Sequence, residues 1–348
     1  MFFQKVQQNV NVLLRNCIFA ENMEKLDVKD RKILYELDID SRQSFSQLGK
    51  KVGLSKDLVA YRVKKLQEKG IIKNFVTDIN HYKLGYTPIK FYFTYQNITP
   101  KIKQEIIDYF VKNPYTLEVH SLEGQYDLCI VCMVKDVANF YNIWIYIINE
   151  YRDYFSNQIF CVQNLLGYYK LTFLLDDKSD KKEERINSSI CSNDKKVDID
   201  DLDKKIFESL VLNSRISTLE IAQNLNSTVN TINSRIQKLV KNGIIVGYSV
   251  FIDWLKIDYH WYKVDIVLKD LKKIPQILGY IENNPNFLQR LASLGYVDLE
   301  LVFLLGNASQ LYQIMEDLSL KFPDSIRNYK YFCTVKTHKY FEVDFWNR

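Results

Sequence analysis

The sequence predicts an α+β fold made twice in one chain, and three observations predict it. The 348-residue chain matches itself without gaps at an offset of 173 positions, with 14 identities in 50 between residues 26–75 and 199–248. About 3 are expected by chance at ordinary composition. Each copy opens with three short segments of helical periodicity around a tight corner. The remainder of each copy then alternates apolar β-like runs with helix-like runs in the order strand, helix, strand, strand, helix, strand, and that change of period marks a second domain.

The first of these domains reads as follows. Residues 28–37, 46–52 and 55–69 carry apolar groups at helical spacing, and Ser55 is a good N-cap because its hydroxyl accepts from the free amides of the first turn. Val59, Val63 and Leu66 fall at i, i+4 and i+7 and form one inward stripe. Gly70 stops the helix, and the β-like run 71–79 makes a wing. Between the second and third helices, Val52-Gly53-Leu54-Ser55 fits the corner of a helix-turn-helix. The second copy has Leu225-Asn226-Ser227-Thr228 there, and asparagine is among the few side chains that tolerate a left-handed backbone.

After the first wing, residues 89–95, 116–122, 128–134 and 162–175 read as strands, with helices at 102–112 and 137–151. The second copy follows with strands 261–268, 287–294, 299–305 and 326–336 and helices 274–282 and 308–321. This βαββαβ order is ferredoxin-like. Strands such as 128–134 and 299–305 are apolar at successive positions, so both sheet faces need cover. The expected organisation is an N-terminal extension (1–25), winged helix-turn-helix 1 (26–80), ferredoxin-like domain 1 (86–175), winged helix-turn-helix 2 (199–253) and ferredoxin-like domain 2 (259–345). Residues 176–198 are dense in charge and lack aromatics, so they read as a linker, with a span of about 25 Å if flexible.

Composition narrows the function. With 47% apolar and 26% charged residues and a net charge of +5, the chain is that of an ordinary globular protein. No run of 18 apolar residues exists, and polar residues interrupt the apolar side of residues 1–22, so neither a spanning helix nor a signal peptide is expected and the protein reads as cytoplasmic. Cys17, Cys129, Cys132, Cys161, Cys191 and Cys333 are scattered as reduced thiols would be. Cys129 and Cys132 lie three apart on one strand and point to opposite faces.

The third helices carry the functional signal. In 55–69, Lys56, Arg62, Lys64, Lys65 and Lys69 outnumber Asp57 and Glu68; in 228–242, Arg235, Lys238 and Lys241 meet no acid. Each comes to +3, as suits a helix that docks on phosphates with its N-terminal residues at base edges. With the core stripe fixed, Lys56, Asp57, Ala60, Tyr61 and Lys64 face the groove in the first copy, and Val229, Asn230, Asn233, Ser234 and Gln237 in the second. The two sets differ in chemistry, since Asn and Gln suit adenine edges, and unlike half-sites follow. Arg62 and Arg235 occupy the same helix position and are expected to grip backbone phosphate. Ser55, Thr228, Lys65 and Lys238 complete the expected DNA-contacting set.

These features together resemble the Lrp/AsnC (leucine-responsive regulatory protein) family of transcription factors. The residues that carry the resemblance are Leu26, Asp27, Asp30, Ile33, Leu34, Arg42, Leu48-Gly49, Gly53-Leu54-Ser55, Arg62-Val63, Leu66 and Gly70-Ile71-Ile72. Gly124-Gln125-Tyr126-Asp127 looks like the family's turn before the third strand of its RAM, or Lrp-type ligand-binding, domain; the second copy departs with Gly295-Tyr296-Val297-Asp298. Residues 23–27 look like a family start, so residues 1–22 read as an upstream extension or a misplaced start codon. Members are usually single-copy chains that dimerise through these sheets, so the resemblance implies an intrachain pseudo-dimer on double-stranded DNA and leaves a higher homo-oligomer open. It also implies an amino-acid or similar small effector, its ammonium group received by Glu123, Asp127 or Asp298 beside Gly124, Tyr126 and Gly295. For Asp127 and Asp298, capping of the turn before the strand is the plainer role.

The alternatives are a siroheme decarboxylase-like tetrapyrrole enzyme, which shares this architecture, and a duplicated sensor or oligomerisation protein without DNA binding. Of His81, His120, His260 and His338, only His120 sits where such chemistry is imaginable, and no phosphate-binding glycine loop, HExxH or nucleophile elbow occurs. The expectation is therefore no enzyme, no catalytic residue, no metal, no cofactor and no membrane partner.

Overall fold

The computed structural model describes residues 24–175 and 185–340. Residues 1–22, with Cys17 and the extension or start-codon question, lie outside them. The first copy opens with α1 (Val28–Ile39), α2 (Phe45–Val52) and α3 (Lys56–Glu68). Each begins on a side-chain cap: Asp27 accepts from the Asp30 amide, Ser44 and Gln47 form a capping box, and Ser55 accepts from the Leu58 amide. Gly53 turns the corner at φ 71°. There follow the wing strand β1 (Ile72–Ile79), β2 (Thr87–Tyr95), α4 (Pro100–Lys112), β3 (Thr116–Gly124), β4 (Leu128–Val134), α5 (Val137–Tyr151) and β5 (Phe155–Tyr169).

A further strand, β6 (Ile186–Cys191), leads to the second copy: α6 (Asp201–Leu212), α7 (Thr218–Asn224), α8 (Val229–Lys241), the wing β7 (Ile245–Ile252) and β8 (His260–Leu268). The chain ends its described part with α9 (Ile274–Ile281), β9 (Phe287–Leu294), β10 (Leu299–Leu305), α10 (Ala308–Lys321) and β11 (Ile326–Tyr340). Asn226 takes the left-handed backbone at φ 49°, so the glycine-free corner forms as the sequence predicts.

The ferredoxin-like sheets do not stay separate. β5 pairs through its first half with β2 and through its second half with β9, while β11 pairs first with β8 and then with β3. The order β2-β4-β3-β11-β8-β10-β9-β5 thereby closes back on β2, with β6 appended beside β5. In the closed order each of these eight strands pairs with two of the others. Helices α4 and α5 cover the outer face of the first sheet with Phe110, Ile143 and Ile147, and α9 and α10 cover the second with Ile277, Met315 and Leu318. The inner faces are sealed crosswise: the first helix-turn-helix packs against Leu288, Leu291, Val302 and Leu304 of the second sheet, and the second packs against Leu117, Val131 and Met133 of the first. Cys129 and Cys132 face these two different cores, as alternation along a strand requires.

Contacts between the copies are reciprocal at the repeat offset. β1 pairs antiparallel with β7, Ile72 opposite Ile252 and Ile79 opposite Ile245. The Ser41 and Ser214 hydroxyls meet at 2.7 Å, 173 residues apart. The Arg42 guanidinium donates to the carbonyls of Ser214 and Ile216, and Arg215 returns the bond to Ser41 and Gln43. Lys83 Nζ donates at 2.7 Å to the Asn242 carbonyl that ends α8, and Lys256 Nζ at 2.7 Å to the Lys69 carbonyl that ends α3. A cation at a helix C-terminus is favourable, and here each copy supplies the one the other needs.

Two expectations are corrected. The last strand of the first sheet starts at Phe155, not 162, and ends at Tyr169. Ser156, Asn157 and Gln158 give no apolar signal, but their backbone pairs with β2, and the chain then leaves so that Leu171 and Leu174 pack on the first helix-turn-helix. The expected free linker is also built in from residue 185. Arg185 donates to the carbonyls of Lys170, Glu282, Asn284, Pro285 and Phe287, β6 pairs with β5, and the Val197 amide donates to the Lys83 carbonyl. Residues 176–184 lie outside the described part.

Candidate nucleic-acid interface and central cavity

On α3, Val59, Val63 and Leu66 are buried, so the helix is rotated as its stripe requires; Lys56, Asp57, Tyr61 and Lys64 are exposed and Ala60 is half-buried. On α8, Ile232 and Leu239 are buried, Asn230, Asn233, Ser234 and Gln237 are exposed and Val229 is half-buried. Ser55 and Thr228 spend their hydroxyls on the amides of Leu58 and Thr231. Lys65 is exposed but lies 2.8 Å from Glu68 and over the Tyr61 ring.

The arginines are placed otherwise than expected. Arg62 Nη1 lies 2.7 Å from Asp27 and 2.8 Å from Asp30 at the start of α1. Arg235 repeats the clamp on Asp200 and Asp203, and Lys238 joins Asp203 at 3.2 Å. These groups bind the third helix to the first through their carboxylate partners. Arg62→Ala is therefore expected to destabilise the protein by about 1 kcal/mol, as for a partly exposed ion pair, and to leave the salt dependence of DNA binding unchanged. Denaturant melts and a salt titration of the same variant check both halves.

The turn residues expected to receive an effector ammonium are engaged in structure. An Asp127 oxygen accepts from the Tyr95 amide at 2.7 Å, and an Asp298 oxygen accepts from the Leu268 amide at 2.7 Å. Gly124 pairs with Phe332 across β3 and β11, where a Cβ would meet the Tyr331 carbonyl at 2.8 Å. Tyr126 is buried, its hydroxyl bonded to Gln125 and Tyr296, whereas Glu123 is exposed and a Cβ on Gly295 would meet open space. Each aspartate thus caps its turn through one oxygen, the plainer of its two expected roles.

The groups sequence reasoning missed lie inside the closed sheet. Lys90 on β2 and Lys263 on β8 are counterparts at offset 173, and both reach one carboxylate: Glu300 Oε2 lies 2.5 Å from Lys90 Nζ and 2.8 Å from Lys263 Nζ. Lys263 also contacts Asp265, which accepts from the Tyr296 hydroxyl, and its ammonium lies 4.9–5.2 Å from the ring centres of Tyr92, Tyr296 and Phe332. Burial pushes the Glu300 carboxyl up, but Lys263 and Lys90 outweigh it and hold it at about 2. The signal was legible in principle, as one charge within each of two otherwise apolar strands and two, Lys263 and Asp265, within the third.

Beside this cluster a cavity of about 120 Å3 opens between the inner sheet faces. Tyr92, Trp261, Phe332, Tyr168 and Tyr340 give it aromatic walls, and Asp78 and Val246 reach it from the two wings. His120 lines it with both ring nitrogens engaged, 3.1 Å from Glu118 and 3.1 Å from Thr337. Asp78 accepts from the Ser249 hydroxyl at 2.8 Å, and burial raises its carboxyl to about 6. A raised carboxyl favours folding while protonated, so that contribution is present below pH ~4 and lost as pH rises through ~6. Asp78→Asn is expected to gain stability on the parent across this window, by up to about 3 kcal/mol at 1.36 kcal/mol per unit. Thermal melts from pH 4 to 8 read the difference.

Comparison with known proteins adds the family. The sequence profile described as winged helix-turn-helix DNA-binding matches residues 26–73 and again 199–246. The HTH-type transcriptional regulator Ptr1 of Methanocaldococcus jannaschii is 34% identical over 114 residues, which is 33% of this chain and 76% of Ptr1. The chain belongs to the Lrp/AsnC family of transcription regulators. The regulator LrpA of Pyrococcus horikoshii is 32% identical over 32% of this chain and 77% of its own length, so one copy accounts for most of a relative and the Lrp/AsnC protein described here carries two. No helix among its described residues is long and apolar enough to cross a membrane.

One expectation is overturned by a solved structure. The siroheme decarboxylase NirDL superposes on 91% of this chain and 94% of its own with a TM-score of 0.59 at 14% identity. The whole two-copy architecture is thus also that of an enzyme, and the expectation of no enzymatic role, which rested on absent motifs, does not stand.

Proposed function

We propose that this Lrp/AsnC regulator acts as an intrachain pseudo-dimer that presents two unlike recognition helices to one asymmetric DNA site. The reading rests on one juxtaposition: the contacts joining the copies are reciprocal, whereas the exposed faces of α3 and α8 have diverged. Two-fold related helices suit paired half-sites. Lys56, Tyr61 and Lys64 suit phosphate and guanine edges, Asp57 suits the amino group of cytosine, and Asn230, Asn233 and Gln237 suit adenine.

The test is binding of the full chain to DNA as a function of salt. Lys56→Ala with Lys64→Ala is expected to lower affinity on every sequence and reduce the salt slope by about 2, one for each phosphate that is no longer neutralised. An unchanged slope contradicts the assignment of this face to DNA.

Catalysis in the central cavity is the second reading, favoured by the likeness to NirDL, which has also been solved with an iron-uroporphyrin III analogue. Its size and its lysines, already paired with Glu300 and Asp265, suit a polycarboxylate tetrapyrrole less well than a smaller guest. Incubation with an iron-uroporphyrin and mass analysis for lost carboxyl groups decides it: loss supports the second reading, and recovery of intact substrate counts against it.

A further inference from the structure

We infer that the central cavity is a binding site for an uncharged molecule of about one aromatic ring that carries a hydrogen-bond acceptor. Its volume of about 120 Å3 compares with the roughly 150 Å3 apolar cavity that accepts benzene. Most of its wall is aromatic or aliphatic, from Tyr92, Trp261 and Phe332 round to Val131 and Leu291, with Asp78, Lys90, Glu118 and Lys263 set into it.

Two polar groups in that wall have no hydrogen-bond partner among the described residues: the indole Nε1 of Trp261 and the imidazole Nε2 of His81. His81 is only 7% exposed, and a polar atom left unpaired in such a place costs roughly 1–3 kcal/mol until something bonds to it. Burial holds the His81 ring neutral, lowering it to about 3. Among the charges in the wall, Lys90 and Lys263 are met by Glu300 and Glu118 by His120, whereas Asp78 has only the Ser249 hydroxyl. An anionic guest would be desolvated with no free counter-charge, and a cationic one would leave water for a single carboxyl that burial already raises to about 6, so both are disfavoured.

Both unpartnered groups belong to one copy's version of the site. Trp261 stands where the first copy has Pro88, and His81 where the second has Trp254. The chain therefore offers one such site, not a symmetric pair. Since β1 and β7 contribute Asp78 and Val246 to its wall, a guest touches the wing pair from which both recognition helices hang. The strand turns that the sequence suggests for an effector lie elsewhere.

The test uses the full chain without DNA, so that its failure is separable from any failure to bind DNA. Benzamide is the probe, with benzoate and benzylamine as anionic and cationic counterparts of the same size. Saturable benzamide binding is expected, at least ten-fold tighter than either ion, with shifts of the Trp261 indole N–H and the Asp78 and Val246 amides. Trp261→Phe keeps the wall but removes the donor and should weaken benzamide about two- to ten-fold, the usual worth of one hydrogen bond; Val131→Phe should fill the space and abolish binding. Absence of saturable benzamide binding, equal binding of benzoate, or unchanged affinity in Trp261→Phe overturns the assignment.

Discussion

Glu300→Gln is expected to destabilise the protein by about 3–5 kcal/mol at neutral pH, the usual cost of removing one partner from a buried charge cluster. Glu300 is fully buried and serves two ammonium groups, and its other oxygen accepts from Ser293 at 2.5 Å. Glutamine keeps the shape but leaves Lys90 and Lys263 with only Asp265 to balance them. The first copy has no equivalent acid, since Cys129 occupies that place in β4. The cluster therefore cannot form between two first copies, whose paired lysines would meet no carboxylate. Because the folded carboxyl is held at about 2, the contribution is fully present above pH ~4.5 and disappears as pH falls through ~2. Urea unfolding from pH 7 down to pH 3 measures it: the gap between parent and variant should be constant to about pH 5 and shrink below. A variant within 1 kcal/mol of the parent at pH 7 would show that the cluster carries little of the fold.

Asn230→Ala combined with Asn233→Ala is expected to cost about 1–3 kcal/mol per base contact, or roughly ten- to a hundred-fold for each, and only on the half-site read by α8. Both side chains are exposed on the face opposite the buried Ile232 and Leu239. The affinity difference should disappear on DNA whose α8 half-site is already scrambled, which fluorescence anisotropy on matched and half-scrambled duplexes detects. Equal losses on both duplexes would make these residues phosphate contacts.

The repeat offset made the fold legible, and the structure explains what the repetition kept. Asp27, Asp30 and Arg62 recur as Asp200, Asp203 and Arg235 because each trio ties a third helix to a first, and Ser41-Arg42 recurs as Ser214-Arg215 because the copies bond through it. Shared identities therefore report architecture, and the recurrence of Arg62 as Arg235 is accounted for by the ion pairs each makes with its own first helix. Strand exchange was not legible: nothing local in residues 155–169 or 326–340 tells that each strand crosses between sheets, since pairing partners are set by closure over the whole chain. The cavity was hidden for the same reason. Lys90, Lys263 and Glu300 are far apart in sequence, and a charge in an otherwise apolar strand gains meaning only when the strands opposite are known.

In vitro selection from a random duplex pool, with the molar mass of the bound species recorded, tests the central claim most directly. The account predicts an asymmetric motif, with different half-sites, occupied by one chain. A palindrome that binds tightest, or a motif that needs two chains, would contradict it.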